Sequence, residues 1–212
     1  MSAIQCQCGA VTITFPQEQP LFASECGCVD CIGKLRQLEK HGGPAVPADI
    51  MSHDTCLVLY YAHDKMVVTG KENLTFTTVR KNSTSTNCVA SCCHTVLVID
   101  TPFYHQGSGA VGSTDGSGIV MFFETMTPTG IPAARQLRCW IHDIPAAKLA
   151  NMPQLPSFYR DGSGNFQFVH GGELGFAAMG QAAKIPALEG DGQTFAQLLA
   201  DCGGTVTVEP YC

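Results

Sequence analysis

Twelve cysteines in 212 residues constrain this chain more than any other feature of its sequence. They stand at positions 6, 8, 26, 28, 31, 56, 88, 92, 93, 139, 202 and 212, so most of them crowd into the first 93 residues. Crowded thiols build a disulfide framework in an oxidising compartment and hold metal in a reducing one. Residues 1–10 have no basic start and no apolar h-region, so a secretory leader is not expected. The longest apolar runs, Cys56–Ala62 and residues 118–123, are far shorter than the roughly 20 residues a spanning helix needs. The expectation is a cytoplasmic chain with no membrane segment, in which the clusters are metal sites. On that reading the glycosylation sequons at Asn73 and Asn82 carry no weight.

Three clusters matter. Cys6 and Cys8 form C-x-C, which on an extended strand projects both sulfurs to one face. Cys26, Cys28 and Cys31 form C-x-C-x-x-C, in which a turn swings a third sulfur towards the first two. Thiolates favour zinc in tetrahedral geometry, and three protein ligands leave one position for water or substrate. Cys31 is expected in the first turn of a helix, where backbone N–H groups favour the thiolate. The third cluster is Cys88-Val-Ala-Ser-Cys92-Cys93-His94, which is expected to complete a closed, four-thiolate zinc site with Cys6 and Cys8. Cys92 is the firm ligand there, while Cys88 and Cys93 compete for the last place because adjacent strand residues face opposite ways. Two zinc ions are therefore the upper expectation. Cys56, Cys139, Cys202 and Cys212 stand alone and read as core or surface thiols.

The chain is long for one small module and short for two, so one core with extensions is expected. Hydrophobic residues make up 45% and charged residues 14%, a globular balance, and the net charge of -6 argues against nucleic-acid binding. Short β-branched or aromatic runs at residues 10–15, 56–62, 66–69, 74–79 and 95–99 predict an antiparallel sheet domain over the first hundred residues. One helix interrupts it, capped by Asp30, striped by Ile32, Leu35 and Leu38, and stopped at Gly42-Gly43-Pro44. Beyond a Gly/Ser stretch at 106–118 come a strand-like run at 118–125, a segment around Cys139 and helical stretches near 145–152 and 193–201.

The segments CQCGAV at 6–11, CGCVDC at 26–31 and SCCHT at 91–95 resemble the glutathione-dependent formaldehyde-activating (GFA) family, also called the CENP-V/GFA domain. The resemblance covers residues 4–105. It implies a mainly β fold of Mss4-like antiparallel sheets around zinc sites with a few short peripheral helices, with 1–105 as the zinc-binding domain; residues 106–212, which the resemblance does not reach, are expected to extend the same core or to form a lid. It also implies that Cys6, Cys8 and Cys92 hold structural zinc while Cys26, Cys28 and Cys31 hold catalytic zinc. Val89 and Cys93 depart from the family, which has cysteine and glycine there. The activity implied is a carbon–sulfur lyase or synthase acting on a small thiol or thiol adduct, with glutathione as candidate co-substrate. The alternative is a non-catalytic zinc module that binds a partner.

Lesser features are weighed in the same way. Lys34 and Arg36, just after the three-cysteine motif, are placed to meet the carboxylates of an acidic thiol, against the plainer reading of a solvated helix face. His94 reads as a hydrogen-bonded strand residue. Residues 107–112 match G-x-G-x-x-G, but no helix-forming sequence follows, so dinucleotide binding is not expected. Neither G-x-S-x-G nor H-E-x-x-H occurs.

Overall fold

The computed structural model describes residues 1–62, 65–83, 85–101, 119–123, 135–182 and 191–208. The Gly/Ser stretch, the G-x-G-x-x-G match and Cys212 lie outside them. Within the described residues the chain runs β1 (Ser2–Gln5), β2 (Thr12–Phe15), β3 (Phe22–Cys26), α1 (Val29–Lys40), α2 (Ala48–His53), β4 (Cys56–Ala62), β5 (Val67–Thr69), β6 (Leu74–Thr78), β7 (Thr86–Ala90) and β8 (Val96–Asp100). It continues through β9 (Ile119–Phe123), β10 (Leu137–Cys139), α3 (Ala146–Leu149), β11 (Ser157–Arg160), β12 (Phe166–Val169), α4 (Gly172–Ala182), α5 (Phe195–Asp201) and β13 (Thr207–Val208). The fold is mainly β. No described helix is long and apolar enough to cross a membrane.

Every residue of β4 is buried, because both faces of its sheet are covered. Cys56, Val58 and Tyr60 face a core built with Ile32, Leu35 and Leu38 of α1, while Leu57, Leu59 and Tyr61 face a second core with Ile13, Phe15 and Phe195. The alternation follows from the two-residue period of a strand. On the second face Phe15 stacks on Tyr61 at 4.5 Å and Tyr61 on Phe122 at 5.5 Å between ring centroids.

β1, β2 and β5 make a small sheet, and the other ten strands make one large sheet in the order β12-β11-β10-β3-β4-β9-β8-β7-β6-β13. The expected antiparallel arrangement needs correcting at three places, because β10 runs parallel to both β3 and β11, and β13 runs parallel to β6. The second half of the chain supplies these partners. It also supplies β9, which pairs with β4 on one side and β8 on the other, so residues beyond 105 lie inside the sheet as well as on it.

α1 buries Ile32, Leu35 and Leu38 as its stripe predicts. Its cap is a correction: the Cys28 sulfur, not Asp30, accepts the amide of Cys31 at 3.3 Å. Asp30 sits in the first turn and pairs with Arg80. At the other end Gly42 takes a positive φ of 90°, and the amides of Gly42 and Gly43 return to the carbonyls of Glu39 and Leu38 at 3.0 and 2.8 Å. These two bonds satisfy the last carbonyls and stop the helix, with glycine at the left-handed position.

Candidate metal centres and an adjoining cavity

The first cluster forms where two tight turns meet. After β1, the amide of Gly9 donates to the Cys6 carbonyl at 2.9 Å and the amide of Val11 to the Cys6 sulfur at 3.3 Å, folding residues 6–11 into a knuckle. Between β7 and β8, the amide of Cys93 donates to the Ala90 carbonyl at 3.4 Å and His94 adopts a positive φ of 52°. The Gln7 amide joins the two turns by donating to the Thr95 hydroxyl at 3.1 Å. The sulfurs of Cys6, Cys8, Cys92 and Cys93 then lie within 4.8 Å of one another. Neighbouring separations are 3.6 Å for Cys6–Cys8, 3.1 Å for Cys8–Cys92 and 3.9 Å for Cys92–Cys93. Sulfurs held 2.3 Å from a tetrahedral ion are about 3.8 Å apart, so the set is compatible with zinc.

Of the two competitors for the fourth place, the Cys93 sulfur lies in the group and the Cys88 sulfur does not. Adjacent residues face opposite ways only on a strand, and Cys92 and Cys93 sit in a turn. Cys88 lies inside β7, buried in the second core opposite Val98, with its thiol pushed up by burial. In the absence of metal the Cys8 hydrogen bond raises Cys92 to about 12. Burial also pushes Cys93 up, but the Thr95 hydroxyl and the amides of Cys8 and Thr95 outweigh it and bring that thiol down to about 6.

The second cluster forms at the junction of β3 and α1. Cys26 ends the strand, Cys28 caps the helix, and Cys31 occupies its first turn. Their sulfurs lie within 4.8 Å of one another, with Cys26–Cys31 at 3.6 Å. Hydrogen bonds within the group divide the proton affinity. Those from Cys26 and Cys28 hold Cys31 well below the ordinary thiol value, and those to Cys28 and Cys31 push Cys26 well above it. Among the described residues no further His, Cys, Asp or Glu joins this group within the same span.

Sheet register brings two more thiols alongside. Cys139 of β10 and Cys56 of β4 are the direct partners of Cys26 on either side, so three adjacent strands place cysteines in one row. The Cys56 thiol donates to the Cys26 carbonyl at 3.6 Å and hydrogen-bonds to the Cys31 sulfur as well. Burial pushes Cys139 up to about 12. The sequence offers no local sign of this row, since residue 139 meets residue 26 only through a parallel pairing formed across the fold.

The two clusters differ in what lies beside them. A cavity of about 580 Å³ opens on Cys26, Cys28 and Cys31, whereas none of Cys6, Cys8, Cys92 and Cys93 lines it. Val58 and Tyr60 of β4 line it, as does Trp140 after β10. The guanidinium of Arg160 lies 5.9 Å from the Trp140 ring and 4.6 Å from that of Phe166. Asp143 accepts the Val29 amide at 3.1 Å and thereby fixes the start of α1 at the cavity edge.

The two basic residues expected near the site part company. Lys34 lines the cavity and is buried, with Nζ 5.4 Å from the Phe123 ring centroid. Arg36 does not line it. Its guanidinium pairs with Asp54 at 2.9 Å, and Lys148 reaches the same carboxylate at 2.7 Å, so Arg36 ties α1 to the segment after α2. Tyr60, Trp140, Asp143 and Arg160 are cavity residues that spacing alone did not reveal, because each becomes a neighbour of the cluster only through sheet pairing.

No protein-family model matches this chain, and no curated protein matches it.

Proposed function

We propose that the chain is a zinc-dependent carbon–sulfur lyase or synthase of GFA type, with Mss4-like organisation of its sheets, acting in the cytoplasm on a small thiol adduct. Glutathione bound to an aldehyde is the candidate substrate. The observation that supports this reading is that the three thiolates of Cys26, Cys28 and Cys31 open onto a cavity that none of Cys6, Cys8, Cys92 and Cys93 lines. Cys6, Cys8, Cys92 and Cys93 suit a structural ion that ties the first knuckle to the β7–β8 turn. Cys26, Cys28 and Cys31 suit an ion with one exchangeable position.

Zinc bound there supplies a Lewis acid that polarises a carbonyl and lowers the pKa of a bound thiol. The reaction is reversible addition: a sulfur–carbon bond forms as the carbonyl π bond opens, and the thiol proton ends on the oxygen. The residues of this chain orient the reactants. Cys28, fixed as the helix cap, and Cys31, one turn inside, hold their sulfurs in a rigid corner. Val58 and Trp140 provide apolar wall that displaces water from the reacting atoms, and Lys34 places a positive charge beside Cys31.

Cobalt substituted for zinc tests this directly. Sulfur-to-cobalt charge-transfer bands are expected to change when glutathione or another small thiol is added, and to change far less in Cys28→Ser. A spectrum indifferent to every thiol and aldehyde offered, with metal ligated by protein alone, would replace the enzyme by a non-catalytic zinc module.

A further inference from the structure

Lys34 is 6% exposed, yet among the described residues no hydrogen bond or ion pair engages its Nζ. A lysine this buried is unfavourable unless something meets its charge. The other charged groups around the cavity are already engaged. Arg80 is paired with Asp30, His142 lies 3.1 Å from Asp143, Arg160 lies against two aromatic rings, and Asp161 accepts the amides of Ser163 and Asn165 and the side-chain amide of Gln167. Phe123 offers its ring face to Lys34 at 5.4 Å, and the Cys31 thiolate feels its charge. Neither is a carboxylate.

The placement of Lys34 follows from helix geometry. Cys31, Lys34, Leu35 and Leu38 are spaced i, i+3, i+4 and i+7, so they share one face of α1. Leu35 and Leu38 drive that face against the sheet, and Lys34 is carried in with them, three residues from Cys31 and at the cavity wall. The cavity is far larger than one water molecule and has hydroxyls at Ser83, Ser85 and Thr101 as well as the apolar wall.

We propose that this cavity takes a small ligand bearing one carboxylate, anchored on Lys34, with its reactive end towards Cys26, Cys28 and Cys31. The inference rests on the lyase reading for the nature of that reactive end, and on the cavity and Lys34 for the carboxylate. Lys34 is thus a specificity residue. A lysine that merely balanced the charge of the thiolates would help every thiol equally, whereas an anchor favours thiols that carry a carboxylate.

Trp140 is the sole tryptophan of the chain and lines the cavity, so its fluorescence reports occupancy. The zinc-loaded full-length protein is titrated with 3-mercaptopropionate, with 2-mercaptoethanol, which lacks the carboxylate, and with propionate, which lacks the thiol. The expected result is an apparent Kd at least about tenfold lower for mercaptopropionate than for mercaptoethanol, a difference of about 1.4 kcal/mol. In Lys34→Met the ratio should collapse to near one, and in Lys34→Arg most of it should survive. Equal affinities in the unaltered protein, or a ratio that Lys34→Met leaves intact, would overturn the inference. The first of these needs no variant, so a misfolded Lys34→Met does not protect it. Cobalt bands that respond to both thiols alike sink the carboxylate anchor and leave the lyase reading standing. Saturable quenching by propionate that Lys34→Met abolishes, with cobalt bands silent, supports the anchor and sinks the lyase reading.

Discussion

The Cys28 sulfur accepts the Cys31 amide as a helix cap and is also a candidate metal ligand, so two substitutions separate its roles. Serine caps as well as or better than most residues but is a poor zinc ligand; alanine does neither. Cys28→Ser and Cys28→Ala should both lose metal at the second cluster. The alanine variant should be less stable to urea than the serine variant by about 1 kcal/mol, the usual worth of an N-cap. Equal midpoints would show that the cap bond carries no weight. At the first cluster, Cys93→Ser should lower zinc from two equivalents per chain to one by plasma mass spectrometry, while Cys88→Ser should keep both. Retention of two equivalents in Cys93→Ser would return the fourth ligand to another residue. Spacing alone made Cys6, Cys8, Cys26, Cys28, Cys31 and Cys92 visible, because C-x-C and C-x-x-C pack ligands into short segments. Cys93 needed the knowledge that residues 91–93 turn rather than extend, and Cys56 and Cys139 needed the register of the sheet.

β3 shows at the scale of an element why parts of the fold were illegible. Its sequence, FASEC, lacks a β-branched residue and carries a glutamate, yet all five residues are buried. The glutamate is matched from far away. Arg138 of β10 donates to the Glu25 carboxylate at 2.7 Å, both side chains being almost wholly buried, and Thr55 donates to the same carboxylate at 3.0 Å. The Glu25 and Arg138 backbones are cross-strand partners, so this ion pair sets the register that puts Cys139 beside Cys26. Removing Arg138 leaves the buried Glu25 carboxylate with only the Thr55 hydroxyl and the half-exposed Arg135, 3.9 Å away. Arg138→Met should therefore destabilise the protein by about 3–5 kcal/mol in urea titrations, and adding Glu25→Gln should recover part of that loss. A double variant no better than the single one would mean that packing of the arginine stem, not its charge, holds β10 in place. α4 was missed for a different reason. Its glycines weaken helix propensity, but Gly172 lies so close to Ser157 that a Cβ would stand 2.0 Å from the Ser157 carbonyl oxygen, so packing rather than propensity dictates it. β4 was legible because a strand covered on both faces is apolar throughout.

Across the whole molecule the two clusters constrain the chain unequally. The first joins Cys8 to Cys92, 84 residues apart, and the second spans Cys26 to Cys31, five apart. Closing the longer loop costs the unfolded chain about 2.5 kcal/mol more, by the logarithmic dependence of closure entropy on loop length. Cys8→Ser should accordingly lower stability by about 2–3 kcal/mol more than Cys28→Ser, which keeps its cap. Thermal melts of the two zinc-loaded variants check this, and equal losses would count against the division into structural and exchangeable sites.

The position of β9 has a consequence for the way the protein is made. β9 lies between β4 and β8, so the two flanking strands cannot be bridged until residues 119–123 have left the ribosome. A nascent chain of about a hundred residues already holds the candidate ligands of both clusters, yet its main sheet is split, with two apolar edges bare to solvent or to another nascent chain. Such edges recruit foreign strands. Metal capture can come early in synthesis, and closure of the sheet must come late, so the interval between them is when the chain most needs a chaperone.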